Sequence, residues 1–271
     1  MSNKKLDLTV IIPINKLETE LDKQLFPQAI DSIFNQKNDV KIKEVLIVTN
    51  SETKKQIEEI VKINKNTRFV INEEGCNNVQ NQINKGVSEI KTEYFMVLDS
   101  DDELTDFYFQ NVFDHMEEMK NVDMFLPLIA DVTLDKKIHR YINEISWAKD
   151  VTNDRHGYLT METLMNYNLI SINGAIIKKS KFEEAGGLKE SMKLSFVYEF
   201  LMRFTNIDGI TYTIPKIGYL RKMGRENCYL ASQAEMDSDE VNFWWSLSKK
   251  EYVWPHDRKK TYVKKQEAPL I

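Results

Sequence analysis

Cysteine is scarce in this sequence: Cys76 and Cys228 are the only two in 271 residues, 152 positions apart and without CxxC spacing. That pattern supports neither a zinc ribbon nor a disulfide framework, and it fits a reducing compartment, the cytoplasm. Long hydrophobic runs are missing as well. The first apolar run, Leu8 to Ile12, ends at Pro13 and is far too short for a signal segment or a membrane span. It continues as Pro13-Ile14-Asn15-Lys16, with no GxGxxG turn to admit a dinucleotide pyrophosphate, which disfavours a nucleotide-dependent oxidoreductase. No repeat period and no low-complexity linker divides the chain, so one compact unit is expected. Neither sign of charge dominates. Lys and Arg number 37 against 42 Asp and Glu, a net charge of −5, and no specific nucleic-acid partner is indicated.

What is present is enough apolar material, 42% of residues, to bury a substantial core. Leu8 to Ile12 is a β-branched run of the kind found in buried parallel strands. Leu21, Leu25, Ala29, Ile30, Ile33 and Phe34 then recur at helical spacing through Gln36. A strand is expected over 44–48, a helix over 54–63, a strand over 68–71, a helix over 79–90 and a strand over 94–98. Strands alternating with helices at this spacing predict βαβ units: an α/β fold with a parallel sheet covered by helices on both faces. Ligands bind such sheets outside the carboxyl ends of the strands. Those ends carry Pro13-Ile14-Asn15, Thr49-Asn50-Ser51 and Asp99-Ser100-Asp101-Asp102.

Asp99, Asp101 and Asp102 follow a strand that is apolar to its last residue, so three carboxylates are pinned at the sheet rim. Like charges held this close are costly unless a cation neutralises them. Oxygen ligands suit Mg2+ or Mn2+, which bind through one or two carboxylates plus a substrate phosphate. The competing reading is an acidic N-cap opening a helix at Asp102-Glu103-Leu104.

The order and spacing of the first strand, Pro13, Ser32-Ile-Phe-Asn-Gln36, Asn84-Lys-Gly86 and Tyr94 through Asp102 resemble the family-two glycosyltransferases of the GT-A fold. The resemblance continues through Ile176 to Leu188 and on to Glu199-Phe-Leu-Met-Arg203, covering residues 8 to 230, about four fifths of the chain. It implies a GT-A-like single domain with a Rossmann-like, mostly parallel central sheet. Residues 1–103 would form the nucleotide-sugar-binding half, 104–230 the acceptor-side half and 231–271 a C-terminal arm. It also implies transfer, with inversion, of a sugar from a nucleoside diphosphate to a saccharide, lipid-linked or protein hydroxyl. A UDP-sugar is the expected donor. On the family pattern Asp99 and Ser100 contact the nucleoside, Asp101 holds the metal, Pro13, Ile14 and Asn15 approach the base and ribose, and Asn50 sits beside the base.

Several positions depart from that pattern. Where the family has an acidic residue after the second strand, this chain has Thr49 and Asn50; the arginine before Asn84 is replaced by Ile83; and Met223 stands where Arg-x-His is usual. The family's Glu-Asp pair, which carries the general base, is Phe196-Val197 here, and valine cannot remove a proton. Glu199 is the nearest carboxylate, although it is spaced for an i, i+4 pair with Arg203, and Glu190 on the preceding loop is a second candidate. These changes motivate an alternative: a catalytically degenerate binding or structural module that keeps the sheet and the nucleotide pocket. Trp147, Tyr158 and Tyr167 fall in an insertion-like stretch where acceptor specificity is expected, although ordinary packing is the competing role. Between residues 249 and 265 seven basic residues face two acidic ones, interleaved with Tyr252, Trp254 and Tyr262. Such a segment suits an anionic partner or a peripheral place on a membrane, or else an arm folded on the domain.

Overall fold

The computed structural model describes residues 4–148, 156–167, 169–192, 194–223 and 238–252. The first half is a parallel sheet built as its apolar runs demand. β1 (Leu8–Pro13) is buried along its whole length and lies between β2 (Glu44–Thr49) and β4 (Tyr94–Val97), with β3 (Thr67–Ile71) outside β2. Alternation along β1 divides the core. Ile11 joins one apolar cluster with Ile83 and Val87 of α3 (Val79–Glu89), while Val10 and Ile12 join another with Phe26, Ala29 and Ile30 of α1 (Glu20–Phe34). Each strand therefore needs apolar residues on both faces, which is why these segments read as continuous runs.

Local signals set where the helices begin. Thr19 and Asp22 form a reciprocal capping box on α1, each side chain accepting the other's backbone N–H at 3.0 Å. Asn50 caps α2 (Ser51–Ile60), its Oδ1 accepting the Thr53 N–H at 2.7 Å. That cap starts α2 directly from the strand end, three residues before the position periodicity predicts. Gly86 lets α3 lie close on the sheet, because a Cβ there would stand 2.8 Å from Ile11 Cγ2 and 3.1 Å from Val48 Cγ2.

The second half extends the same sheet in mixed directions. After β5 (Glu103–Leu104) and α4 (Tyr108–Glu118) come β6 (Met124–Val132) and β7 (Ile138–Ile142). A 3-10 turn at Glu144–Trp147, α5 (Met161–Asn166), β8 (Ile176–Lys178), α6 (Lys179–Glu184), α7 (Phe196–Asn206), β9 (Thr211–Lys222) and α8 (Ser238–Tyr252) follow. The strand order is β3-β2-β1-β4-β8-β6-β9-β5, with β7 paired to β6. β8 runs antiparallel between β4 and β6, and β9 runs parallel to β6, so β9 ends at the same rim as the first-half strands.

Trp147 and Tyr158 pack against Tyr212, with ring centroids 5.9 and 5.1 Å away, and Trp147 Nε1 donates to the Thr213 carbonyl at 3.0 Å. These two aromatics are engaged in the wall of the fold, whereas Tyr167 is exposed. α8 lies on α7, with Trp245 against Tyr198 and the Lys249 ammonium 3.4 Å from the Trp245 ring centroid. Trp254, Tyr262 and the basic residues from 258 onward lie outside the described residues. Among the described residues no helix is long and apolar enough to cross a membrane.

Candidate active site

The carboxylate rim forms at the end of β4. Asp102 N–H donates to the Asp99 carbonyl at 3.2 Å, closing a tight turn, and β5 then pairs antiparallel with β9. That pairing brings Tyr219 and Lys222 against the carboxylates. Tyr219 Oη accepts the Asp99 backbone N–H at 3.1 Å and donates to Asp102 Oδ2 at 2.8 Å; Lys222 N–H donates to Asp102 Oδ1 at 2.8 Å. Burial, followed by the nearby Asp101 and Asp99, pushes the Asp102 carboxyl well above its ordinary range. Asp102 therefore binds the turn to β9 and faces inward.

Glu103 is neutralised from two sides, by Lys136 and Lys222 ammonium groups each 2.7 Å away. Burial opposes its charge, but the two lysines outweigh it and hold the carboxyl below its usual value. Lys222 also donates to Gln28 Oε1 at 2.9 Å, connecting the rim to α1. Asp99 Oδ2 accepts from Asn173 Nδ2 at 2.6 Å. Asn173 is in turn held by the Ser171 hydroxyl, and Ser171 N–H donates to the Asn143 side chain at 2.9 Å.

Asp101, 6% exposed, completes the group. Among the described residues no cluster of three or more His, Cys, Asp or Glu is placed to cage a metal ion. Asp102 and Glu103 are held by protein partners; a cation at this rim would be held through one or two carboxylates, with substrate phosphate and water supplying the rest.

The residues expected to meet a nucleoside stand at the ends of β1 and β2. Ile14 extends the ladder by donating to the Val48 carbonyl at 3.0 Å, and Pro13 and Ile14 are buried. The Asn15 carbonyl accepts from Asn50 Nδ2 at 2.8 Å and from Thr53 Oγ1 at 2.6 Å, while Asn15 Nδ2 donates to Asn77 Oδ1 at 2.7 Å. Asn15 and Asn50 are thus brought into direct contact, with Asn50 using both ends of its amide within the protein. Glu73, just past β3, turns back so that Oε1 accepts the Ser51 N–H at 3.0 Å.

The structure separates the two catalytic candidates. Val197 is half-buried against the core. Glu199 has zero exposure and forks onto Arg203 at 2.9 and 2.7 Å, with the Lys189 ammonium at 3.1 Å; Arg203 also donates to the Ala185 carbonyl. That placement suits an anchor for the 185–189 loop and is unsuited to taking a proton from an incoming acceptor. Glu190 is exposed, and its carboxylate accepts from Asn81 Nδ2 at 2.9 Å and Asn84 Nδ2 at 3.1 Å. Asn78 Nδ2 holds the Glu190 carbonyl at 2.9 Å. Hydrogen bonds thus tie Asn15 to Asn77 and the adjoining Asn78 to Glu190.

Arg221 forks onto the fully buried Asp131 at 2.7 and 3.0 Å, and Met223 N–H donates to the Val132 carbonyl at 2.8 Å, so this stretch fixes the end of β9. Sequence reasoning passed over Tyr219, Asn173, Lys222 and Glu73. Nothing in their spacing marks them, because each acts on a rim residue far away in the chain.

The model of the family described as "Glycosyl transferase family 2" matches residues 9–182. The chain belongs to that family. The matched span runs from β1 through the carboxylate rim to α6 and ends before Glu190 and α7. No curated protein gives a significant match. Among solved structures, S. aureus TarS 1-349 in complex with UDP-GlcNAc superposes with a TM-score of 0.65 at 14% identity, over 95% of this chain and 70% of that one. The TarS 1-349 complex with UDP gives 0.56 at 11% identity, over 96% and 81%. A longer TarS structure gives 0.57 at 13% identity, over 88% of this chain and 42% of that one. At these identities the superpositions establish the GT-A-like fold. This family 2 member thus combines the fold with a carboxylate rim at the end of β4.

Proposed function

We propose that this protein is an inverting, metal-dependent glycosyltransferase that moves a sugar from a UDP-sugar to an acceptor hydroxyl. The observation that carries this reading is the carboxylate rim itself, where Asp99 and Asp101 stand together at the end of β4 on a turn that Asp102 fastens to β9. The TarS complexes with UDP-GlcNAc and UDP support a nucleotide sugar as donor. In this reading Asp99 and Ser100, with the Pro13–Asn15 edge and Asn50, receive the nucleoside. Asp101 holds Mn2+ or Mg2+. When bound, that ion neutralises charge on the departing diphosphate.

The chain's own part in the chemistry is orientation and proton removal. Glu190, fixed by Asn81 and Asn84, takes the proton of the acceptor hydroxyl as its oxygen attacks the anomeric carbon. The bond to the diphosphate breaks on the opposite face and its electron pair leaves with the diphosphate, which inverts the centre. Glu190→Gln should lower kcat about 10²–10⁴-fold with UDP affinity unchanged, read by nucleotide release from a UDP-sugar and by calorimetry. Full turnover in the variant would remove Glu190 from this role.

A second reading is favoured by Val197 and by the burial of Glu199: a module that binds nucleotide but transfers nothing. UDP then raises the melting temperature by mass action, and the wild type releases no nucleotide from any UDP-sugar in the presence of manganese.

A further inference from the structure

α8 presents two sides of different character. On one, Trp245 is half-buried against Tyr198 of α7 with ring centroids 6.0 Å apart, Ser248 is buried, and Lys249 lies across the Trp245 ring. The other carries apolar side chains into solvent. Phe243 and Leu247, one turn apart, are 58% and 42% exposed, and the exposed Ser246 and Lys250 share that side at i+3 and i+7. Charge is graded along the helix, from Asp239 and Glu240 near its start to Lys249 and Lys250 in its last turn. The basic excess continues in the sequence that follows. Residues 249–265 hold seven basic residues against two acidic ones, so this stretch carries +5 in a chain of net −5, and the remainder carries −10.

We propose that α8, with the basic stretch that begins in its last turn, is a docking surface for an anionic lipid bilayer, on which the helix lies in the plane of the headgroups with Phe243 and Leu247 inserted. The inference is independent of the donor-site reading. Charge selects an anionic surface: it attracts residues 249–265 and repels the −10 remainder, so the chain approaches with α8 foremost. The apolar pair selects lipid. A soluble polyanion offers the lysines partners but gives Phe243 and Leu247 no apolar phase to enter, whereas the boundary between headgroups and acyl chains does. Tyr252, Trp254 and Tyr262, interleaved with the basic residues, are of the types enriched at that boundary. Trp245 and Ser248 hold α8 on α7 from the opposite side, so docking requires no departure from the domain. Among the described residues no helix is long and apolar enough to span a bilayer, which fits a helix lying on the surface.

The test is sedimentation of the full chain with vesicles of phosphatidylcholine alone and of phosphatidylcholine mixed equally with phosphatidylglycerol, with melting temperatures and light scattering alongside. The wild type should partition about tenfold or more in favour of the anionic vesicles and be released as NaCl rises from about 0.1 to about 0.5 M. The double variant Phe243→Ser, Leu247→Ser should lose about tenfold or more of that partition at an unchanged melting temperature, because exposed side chains contribute little to the fold. Lys250→Glu should weaken binding to the anionic vesicles alone. A wild type that ignores both kinds of vesicle would overturn the proposal. If it were then retained on heparin, the basic stretch would belong to a soluble polyanion; if it were a dimer that the double variant dissociates, the face would belong to a second copy. Equal partition onto neutral and anionic vesicles would overturn the anionic-lipid assignment, and wild-type partition in the double variant would remove α8 from the docking surface.

Discussion

Replacing Asp101 by alanine is expected to lower turnover of a UDP-sugar by about a thousandfold or more while leaving the fold in place. A metal-held carboxylate contributes several kcal/mol of charge stabilisation to a departing diphosphate, and each 1.36 kcal/mol is about tenfold in rate. In the variant the rim turn keeps the anchors that its neighbours supply. Asp102 carries the bonds to Tyr219 and Lys222, and Asp99 carries those to Tyr219 and Asn173. The measurement is manganese-dependent nucleotide release beside a thermal melt. Wild-type turnover in Asp101→Ala would show that the metal role assigned to this residue is wrong, whereas loss of turnover together with loss of the fold would move Asp101 to a structural role.

The second large effect lies away from the chemistry. Asp131 sits on β6 directly opposite Arg221 of β9 and Arg140 of β7, so one carboxylate holds a cation from each flanking strand. Its own exposure is zero, while the Arg221 and Arg140 side chains are 14% and 39% exposed. Asp131→Ala leaves Arg221 buried without its partner and should cost about 3–5 kcal/mol in urea unfolding. Burial works against the Asp131 charge, but the two arginines outweigh it and hold the carboxyl below its ordinary value. A depressed carboxylate stabilises the fold fully above its unfolded pKa, about 3.9, and loses that contribution as pH falls through the lower folded value. The variant should therefore lose less stability than wild type on going below about pH 4. A cost under about 1 kcal/mol, with the acid limb unchanged, would show that the pair is not a structural clamp. Because Lys222 N–H holds Asp102, loosening the end of β9 should also loosen the rim.

Much of the first half of this fold is legible in single stretches of sequence. Leu8–Ile12, 44–48 and 94–98 declare themselves because strands buried on both faces are mostly apolar, and the polar strand ends then mark the candidate site. The start of α2 is less legible, because the Asn50 cap is a local hydrogen bond that periodicity does not register. The antiparallel passage of β8 between β4 and β6 depends on pairings across the whole second half, and short strands such as Ile176–Lys178 carry too little pattern to announce them. The carboxylate cluster itself is visible, but the roles of its members are not. Asp102 turns inward only because Tyr219 and Lys222 arrive from 117 and 120 residues away. The Glu199–Arg203 spacing does announce an ion pair, whereas Lys189 closing on the same carboxylate does not follow from spacing. Glu73 is hidden for the same reason, since its partner Ser51 lies at the exit of β2 and not of its own strand.

The most direct test of the account is the affinity of the wild-type chain for UDP, measured by calorimetry in MnCl2 and again in EDTA, with Asp101→Ala measured in the same two buffers. A donor site built on the rim predicts that manganese tightens UDP binding at least tenfold in the wild type and has no effect in the variant. Equal affinity in all four titrations, or no binding in any, would contradict it.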